Sequence, residues 1–190
     1  MTTATADAMV TIPTGRYQLD TVHSRLGFAI RHMVSSVHGH FAAFTGHIDI
    51  PATAPEQAVA ELDIDPASIE TSNPDRDSHL RSPDFLDVDR YPTMTFRSTS
   101  SRRIEGDQYV VGGDLTIRGV TRPVELTMTV TGVATDPYGQ LRLGLTGKGI
   151  LSRRDFGLTW NVALESGGFV LGDRVTLELD ASAVATQPTS

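Results

Sequence analysis

The chain has 190 residues, 39% of them hydrophobic and 21% charged, which suits one globular domain with its own core and is too apolar for wholesale disorder. With 16 Lys and Arg against 23 Asp and Glu, the net charge of −7 argues against general nucleic-acid binding and against a surface that hugs anionic lipid. There is no Cys, which excludes disulfides, thiolate metal sites and a cysteine nucleophile.

In the opening MTTATADAMVTIPTGR, Asp7 precedes the first base, Arg16, and no apolar run follows. No secretory signal is read there, and the chain is expected in the cytoplasm. Residues 1–14 read as a loose polar tail, 15–184 as one domain and 185–190 as a second tail. Apolar stretches such as Leu26–Ile30 fall far short of the ~18 residues of a membrane span.

From Ser24 onward the pattern alternates. Leu26, Phe28 and Ile30 face away from Arg25, Gly27, Ala29 and Arg31; Phe44, Ile48 and Ile50 face away from Thr45, His47 and Asp49; Leu62 and Ile64 face away from Glu61, Asp63 and Asp65. A period of two places each apolar set on one face of a strand. Between Ser72 and Pro92 the alternation stops. Asn73-Pro74 and Ser82-Pro83 each set a capping side chain before a proline suited to a first helical position, and Asp75 and Asp77 follow in a first turn. Two short helices or one bent helix are predicted, with Leu80, Phe85 and Leu86 inward. Alternation then resumes at Met94 and Phe96, at Leu115 and Ile117, through Val124, Leu126, Met128 and Val130, and at Leu141, Leu143 and Leu145. It recurs at Leu158, Trp160, Val162 and Leu164, and again from Val175 to Ala181. Turn residues at Glu105-Gly106-Asp107, Arg118-Gly119, Asp136–Gly139, Gly167-Gly168 and Gly172-Asp173 separate the runs at near ten-residue spacing.

The fold class is therefore all-β, a sandwich or barrel of hairpins. About eight to ten half-buried strands must bring their apolar faces together, and a closed sheet does so while abolishing its edges. The interior set is Leu, Ile, Val, Phe and Met. Alternation does not distinguish a filled interior from a hollow one; a hollow one would take a ligand that is mostly hydrocarbon.

Five segments, in order, carry a family resemblance: DTVHSRLGFAIRHMVSSVHGHFAAFTGHIDI, DRDSHLRSPDFLDVDRYPTMTFRSTS, GGDLTIRGVTRPVELTMTVTG, GKGILSRRDFGLTW and GDRVTLELDASAV. Over roughly Tyr17 to Val184 the chain resembles the YceI-like family of polyisoprenoid-binding, lipocalin-like proteins. The resemblance implies an extended eight-stranded antiparallel barrel with a short helical segment near one end. It also implies a long apolar cavity for a polyisoprenoid, an isoprenoid quinone or a similar long-chain amphiphile, and a homodimer. Many relatives carry a secretory signal, and this chain departs from them there.

Cavity-lining candidates are Phe28, Ile30, Phe44, Met94, Phe96, Leu115, Ile117, Leu126, Met128, Trp160 and Val162. Leu80 and Phe85, with Leu86, either gate the mouth or simply pack the helix onto the barrel. His23 and His32 fall at family positions and bond locally or sit by the pocket, or alternatively polarise a ligand head group. Arg153 and Arg154 offer guanidiniums for an anionic head group, against the alternative that Asp155 pairs with Arg154 to fix a bend. Asp77 and Arg81 are spaced for a surface ion pair. His38 and His40, with His47 after a bend, lack the spacing and further ligands of a metal site, so no metal and no cofactor are assigned. No catalytic constellation is recognisable. The function read is non-enzymatic sequestration or transport of such an amphiphile. The rivals are an enzyme acting on an isoprenoid lipid and a stress-related interaction module with an incidental cavity.

Overall fold

The computed structural model describes residues 10–52, 57–163 and 170–186. In chain order the strands are β1 (Gly15–Leu19), β2 (Arg25–His32), β3 (Ser35–Phe41), β4 (Phe44–Ile50), β5 (Val59–Ile64), β6 (Ile69–Glu70), β7 (Met94–Glu105), β8 (Gln108–Ile117), β9 (Val120–Thr135), β10 (Leu141–Ser152) and β11 (Leu171–Ala185), with one helix, α1 (Pro74–Arg81), between β6 and β7. All belong to one antiparallel sheet that closes when β1 pairs with β11. The closed ring has eight strands: β1, β4, β5, β7, β8, β9, β10 and β11. Beyond it, β2, β3 and β6 extend the wall from β11.

The extension arises from two bent hairpin arms. β11 is long enough to pair with β1 through Ala183–Ala185 and with β2 through Leu171–Asp180. The chain bends between the two, and Ser24 bridges the interruption: its hydroxyl donates to the Ser182 carbonyl (3.2 Å) and accepts from the Ser182 N–H (3.0 Å). One side chain thus does what a strand neighbour would do. At the other bend, β3 gives way to β4 across Ala42 and Ala43, whose backbone is tied to Ser68. The β8–β9 hairpin turns on Arg118 and Gly119, both with positive φ (52° and 71°), as a type I′ turn requires.

Buried residues form two clusters, one at each end of the barrel. At the helix end are Phe156, Leu158, Leu86, Met94 and Phe96; at the opposite end are Tyr17, Leu143, Val130 and Ala183. Val10 and Ile12, within the segment read from sequence as a tail, pack against the second cluster, and the Val10 N–H donates to Asp107. Residues 1–9 and 187–190 of the two tails lie outside the described residues, as do Leu164, Glu165 and the Gly167-Gly168 turn.

Two local expectations are corrected. Asn73 caps α1 by accepting from the Arg76 N–H, with Pro74 at the first position, but Ser82-Pro83 opens only turns, so there is one helix. The run from Leu158 to Val162 is not a strand. Its backbone groups are taken by side chains instead. The Arg153 guanidinium binds the Leu158 and Trp160 carbonyls, and the Asn161 amide grips both the N–H and the C=O of Leu171.

An electrostatic knot fastens the end opposite the helix. Arg142 donates to Asp20 in the β1–β2 bend (2.6 Å) and to Asp136 in the β9–β10 turn (2.8 Å), and His23 donates to Asp20 (2.7 Å). The Arg142 hydrogen bond, reinforced by His23, holds the Asp20 carboxyl down at about 2 against an ordinary 3.8. A depressed carboxyl pKa stabilises the fold fully above about pH 5, and that stabilisation disappears as pH falls toward 2. Asp20→Asn is therefore expected to lower the urea midpoint at pH 7, by less at pH 3, and to converge with the parent protein near pH 2. A gap independent of pH would contradict this account.

Candidate functional site

The alternating strands place one side chain in two inside the ring, and those side chains do not meet across its centre. They enclose a cavity of about 650 Å³, in the range of ligand sites, roughly 300–1,000 Å³. The hollow shows in the burial pattern. Phe28, Leu126, Leu177 and Leu179 point inward yet are only partly buried, because the cavity leaves one side of each uncovered. The lining extends from Ile12, Ile48 and Tyr109 at one end to Ile30, Leu80 and Leu171 at the helix end. The walls are overwhelmingly hydrocarbon, so what the cavity offers is apolar burial, worth ~0.8 kcal/mol per methylene. Phe96 covers Gly113 on the neighbouring strand so closely that a Cβ there would lie 2.4 Å from the ring; the glycine lets the ring lie flat along the wall.

At the helix end the wall changes character. His79 of α1 meets Phe85 and Trp160 edge-on, at centroid distances of 5.0 and 4.8 Å, and Phe85 lies 5.2 Å from Trp160. α1 is docked by polar bonds rather than by an apolar stripe. Asp77 is buried and accepts from the N–H and hydroxyl of Thr71, while Arg81 donates to the Ala67 and Ile69 carbonyls. The surface ion pair expected between Asp77 and Arg81 is thus replaced, because each finds a backbone partner in the segment beside the helix. Arg76, Asp75 and His32 join the lining here. So does Arg153, 2% exposed, whose Nε donates to the Gly172 carbonyl and whose Nη1 donates to the Leu158 and Trp160 carbonyls. Burial, with Arg154 alongside, pushes its pKa down from the ordinary arginine value.

Of the residues picked from sequence, Phe28, Ile30, His32, Leu80, Phe85, Met94, Phe96, Leu115, Ile117, Leu126, Met128 and Trp160 all stand on the cavity wall. Phe44, Arg154 and Val162 do not. Phe44 is buried opposite Ile64 in the packed core at the start of β4. Arg154 is exposed and pairs with Asp173 (3.7 Å), where the sequence pointed to Asp155. Val162 is 47% exposed because its segment has left the sheet. Sequence reasoning missed His79 as a wall residue, and of the guanidinium pair it named only Arg153 reaches the wall. Arg153 had a signal: the inward positions Leu143, Leu145 and Leu151 of β10, continued by two, reach it. His23 bonds locally to Asp20 and His32 borders the cavity. His38 is exposed, His40 lies 3.5 Å from Glu70 and His47 lies 3.6 Å from Asp49. No group of three or more His, Cys, Asp or Glu able to hold a metal occurs among the described residues. Nor is any described helix long and apolar enough to cross a membrane.

A family model, the YceI-like domain, matches residues 17–183. The chain belongs to the YceI-like family. A UPF0312 protein of Staphylococcus epidermidis is 38% identical over 168 residues, covering 87% of this chain and 95% of that one. Among solved structures, Burkholderia cenocepacia BcnA superposes with a TM-score of 0.74 at 23% identity, over 88% of this chain and 99% of that chain. A polyisoprenoid binding domain from Saccharophagus degradans, implicated in plant cell wall breakdown, superposes with a TM-score of 0.67 at 17% identity, over 89% and 98%. At those identities the two structures speak for the barrel alone.

Because this YceI-like barrel is packed outside its cavity and hollow along its axis, equal truncations should have unequal costs. Ile50→Ala, in the packed core away from the cavity, is expected to cost ~2–5 kcal/mol, and Leu177→Ala, which already borders the cavity, less than ~2 kcal/mol. Denaturant unfolding of both variants measures the difference; equal costs would mean that the interior is filled.

Proposed function

We propose that the protein binds and sequesters or carries a polyisoprenoid, an isoprenoid quinone or a similar long-chain amphiphile, without turning it over. The observation that carries this reading is the hydrocarbon-walled cavity of about 650 Å³ along the barrel. A wall with so few polar groups suits a chain recognised by area rather than by hydrogen bonds, and Met94 and Met128 on it adapt to a flexible chain. Membership of the YceI-like family supports the reading, as does the shared fold of the Saccharophagus degradans polyisoprenoid binding domain. A homodimer, implied by the family resemblance alone, is part of the same proposal, and a doubled mass in sedimentation is its check.

The test is a chain-length series of linear and prenyl alcohols competing with a fluorescent fatty probe. Affinity is expected to rise about fourfold per added methylene, from ~0.8 kcal/mol each, until the cavity is full. Leu179→Trp, which fills the middle of the cavity, is expected to remain folded and lose the binding. Affinities that ignore chain length, or uptake undiminished in the variant, would contradict the proposal.

A further inference from the structure

Arg153 is the one cation buried in the wall, among the described residues, and its bonding is incomplete. Nε and Nη1 are committed to the Gly172, Leu158 and Trp160 carbonyls. Nη2 is buried and has no hydrogen-bond partner among the described residues. The residue is 2% exposed and lines the cavity. A buried donor left without an acceptor costs about 1–3 kcal/mol, more when it belongs to a charged group, and guanidinium is always charged. All three of these partners are neutral carbonyls. The nearest carboxylate chemistry is spent elsewhere: Asp173 accepts from the Ser152 hydroxyl and the Arg154 N–H, and pairs with the Arg154 side chain. The other charged and titratable groups lining this half of the cavity are Asp75, Arg76, His32, His79 and Glu178. Arg76 is already bonded to Thr71, and His79 to Asp84. The three carbonyls fix the guanidinium plane, so Nη2 is held in place before any ligand arrives.

We propose that Arg153 anchors the head group of the bound chain, with Nη2 donating to a terminal oxyanion, a carboxylate or a phosphate. This rests on the long-chain reading of the cavity and deepens it. The site fixes polarity: the charged terminus lies at the helix end, beside Trp160, and the tail runs toward Ile12 and Ile48. An alcohol of the same length fills the same cavity but leaves the charge of Arg153 unmatched. Arg154, on the outer surface, takes no part.

Matched chains decide the matter: hexadecanol against palmitate, and geranylgeraniol against geranylgeranyl phosphate, by titration calorimetry at pH 8 on the full chain. The acid and the phosphate are expected to bind at least ten- to a hundred-fold more tightly than their alcohols, as a charge-assisted hydrogen bond to a buried group implies. In Arg153→Gln the margin should vanish while alcohol binding persists. A merely structural arginine would weaken both members of each pair alike. If Arg153→Gln fails to fold, the side-chain ¹⁵N signal of Arg153 in the parent protein serves instead, and it should shift with palmitate and not with hexadecanol. Acid and alcohol binding equally well would overturn the anchor and leave the cavity reading standing. Binding of none of the four would overturn both.

Discussion

The structure depends on one constraint: a sheet with an apolar face on every strand has nothing but itself to bury that face against. Closure through the β1–β11 pairing satisfies the requirement and removes the edges of the eight-stranded ring, leaving an outer edge only on the β2–β3–β6 extension. Closure does not guarantee a filled centre. A cavity of about 650 Å³ remains along the axis, and its walls suit hydrocarbon contents.

The helix end obeys a different rule. Where the strands stop, side chains take over the hydrogen bonds that neighbouring strands would have made. Arg153 gathers three carbonyls, Asn161 grips Leu171, Asp77 binds Thr71, and Arg81 holds the backbone from Ala67 to the start of β6 at Ile69. This gives the one end of an apolar cavity a concentration of polar and aromatic groups. The same residues that terminate the sheet also give the cavity a chemically distinct end, so a ligand with a distinct head has an orientation available to it.

Much of this was legible in the sequence, and the limits have physical causes. Period-two alternation located the long strands because each has one wet face and one dry face. It failed at Leu158–Val162, where the same alternation is kept but the backbone is bonded to side chains of Arg153 and Asn161, contacts with no periodic signature. Most of the residues it named do stand on the wall, since inward residues of β2, β7, β8 and β9 line the cavity whatever its width. It could not say whether Leu126 and Leu177 meet across the centre, because packing depends on the ring's diameter and not on the order of residues along a strand. Taking Arg153 and Arg154 together as a clamp put both on one side, whereas the register of β10, continued by two, sends Arg153 inward and leaves Arg154 outside.

The central claim is that a long chain occupies the barrel, and native mass spectrometry of protein purified without detergent tests it most directly. The account predicts one lipid-sized adduct per polypeptide, either carried through purification or acquired on incubation with a long polyprenyl chain, and released on unfolding. Bare polypeptide under both conditions would contradict it.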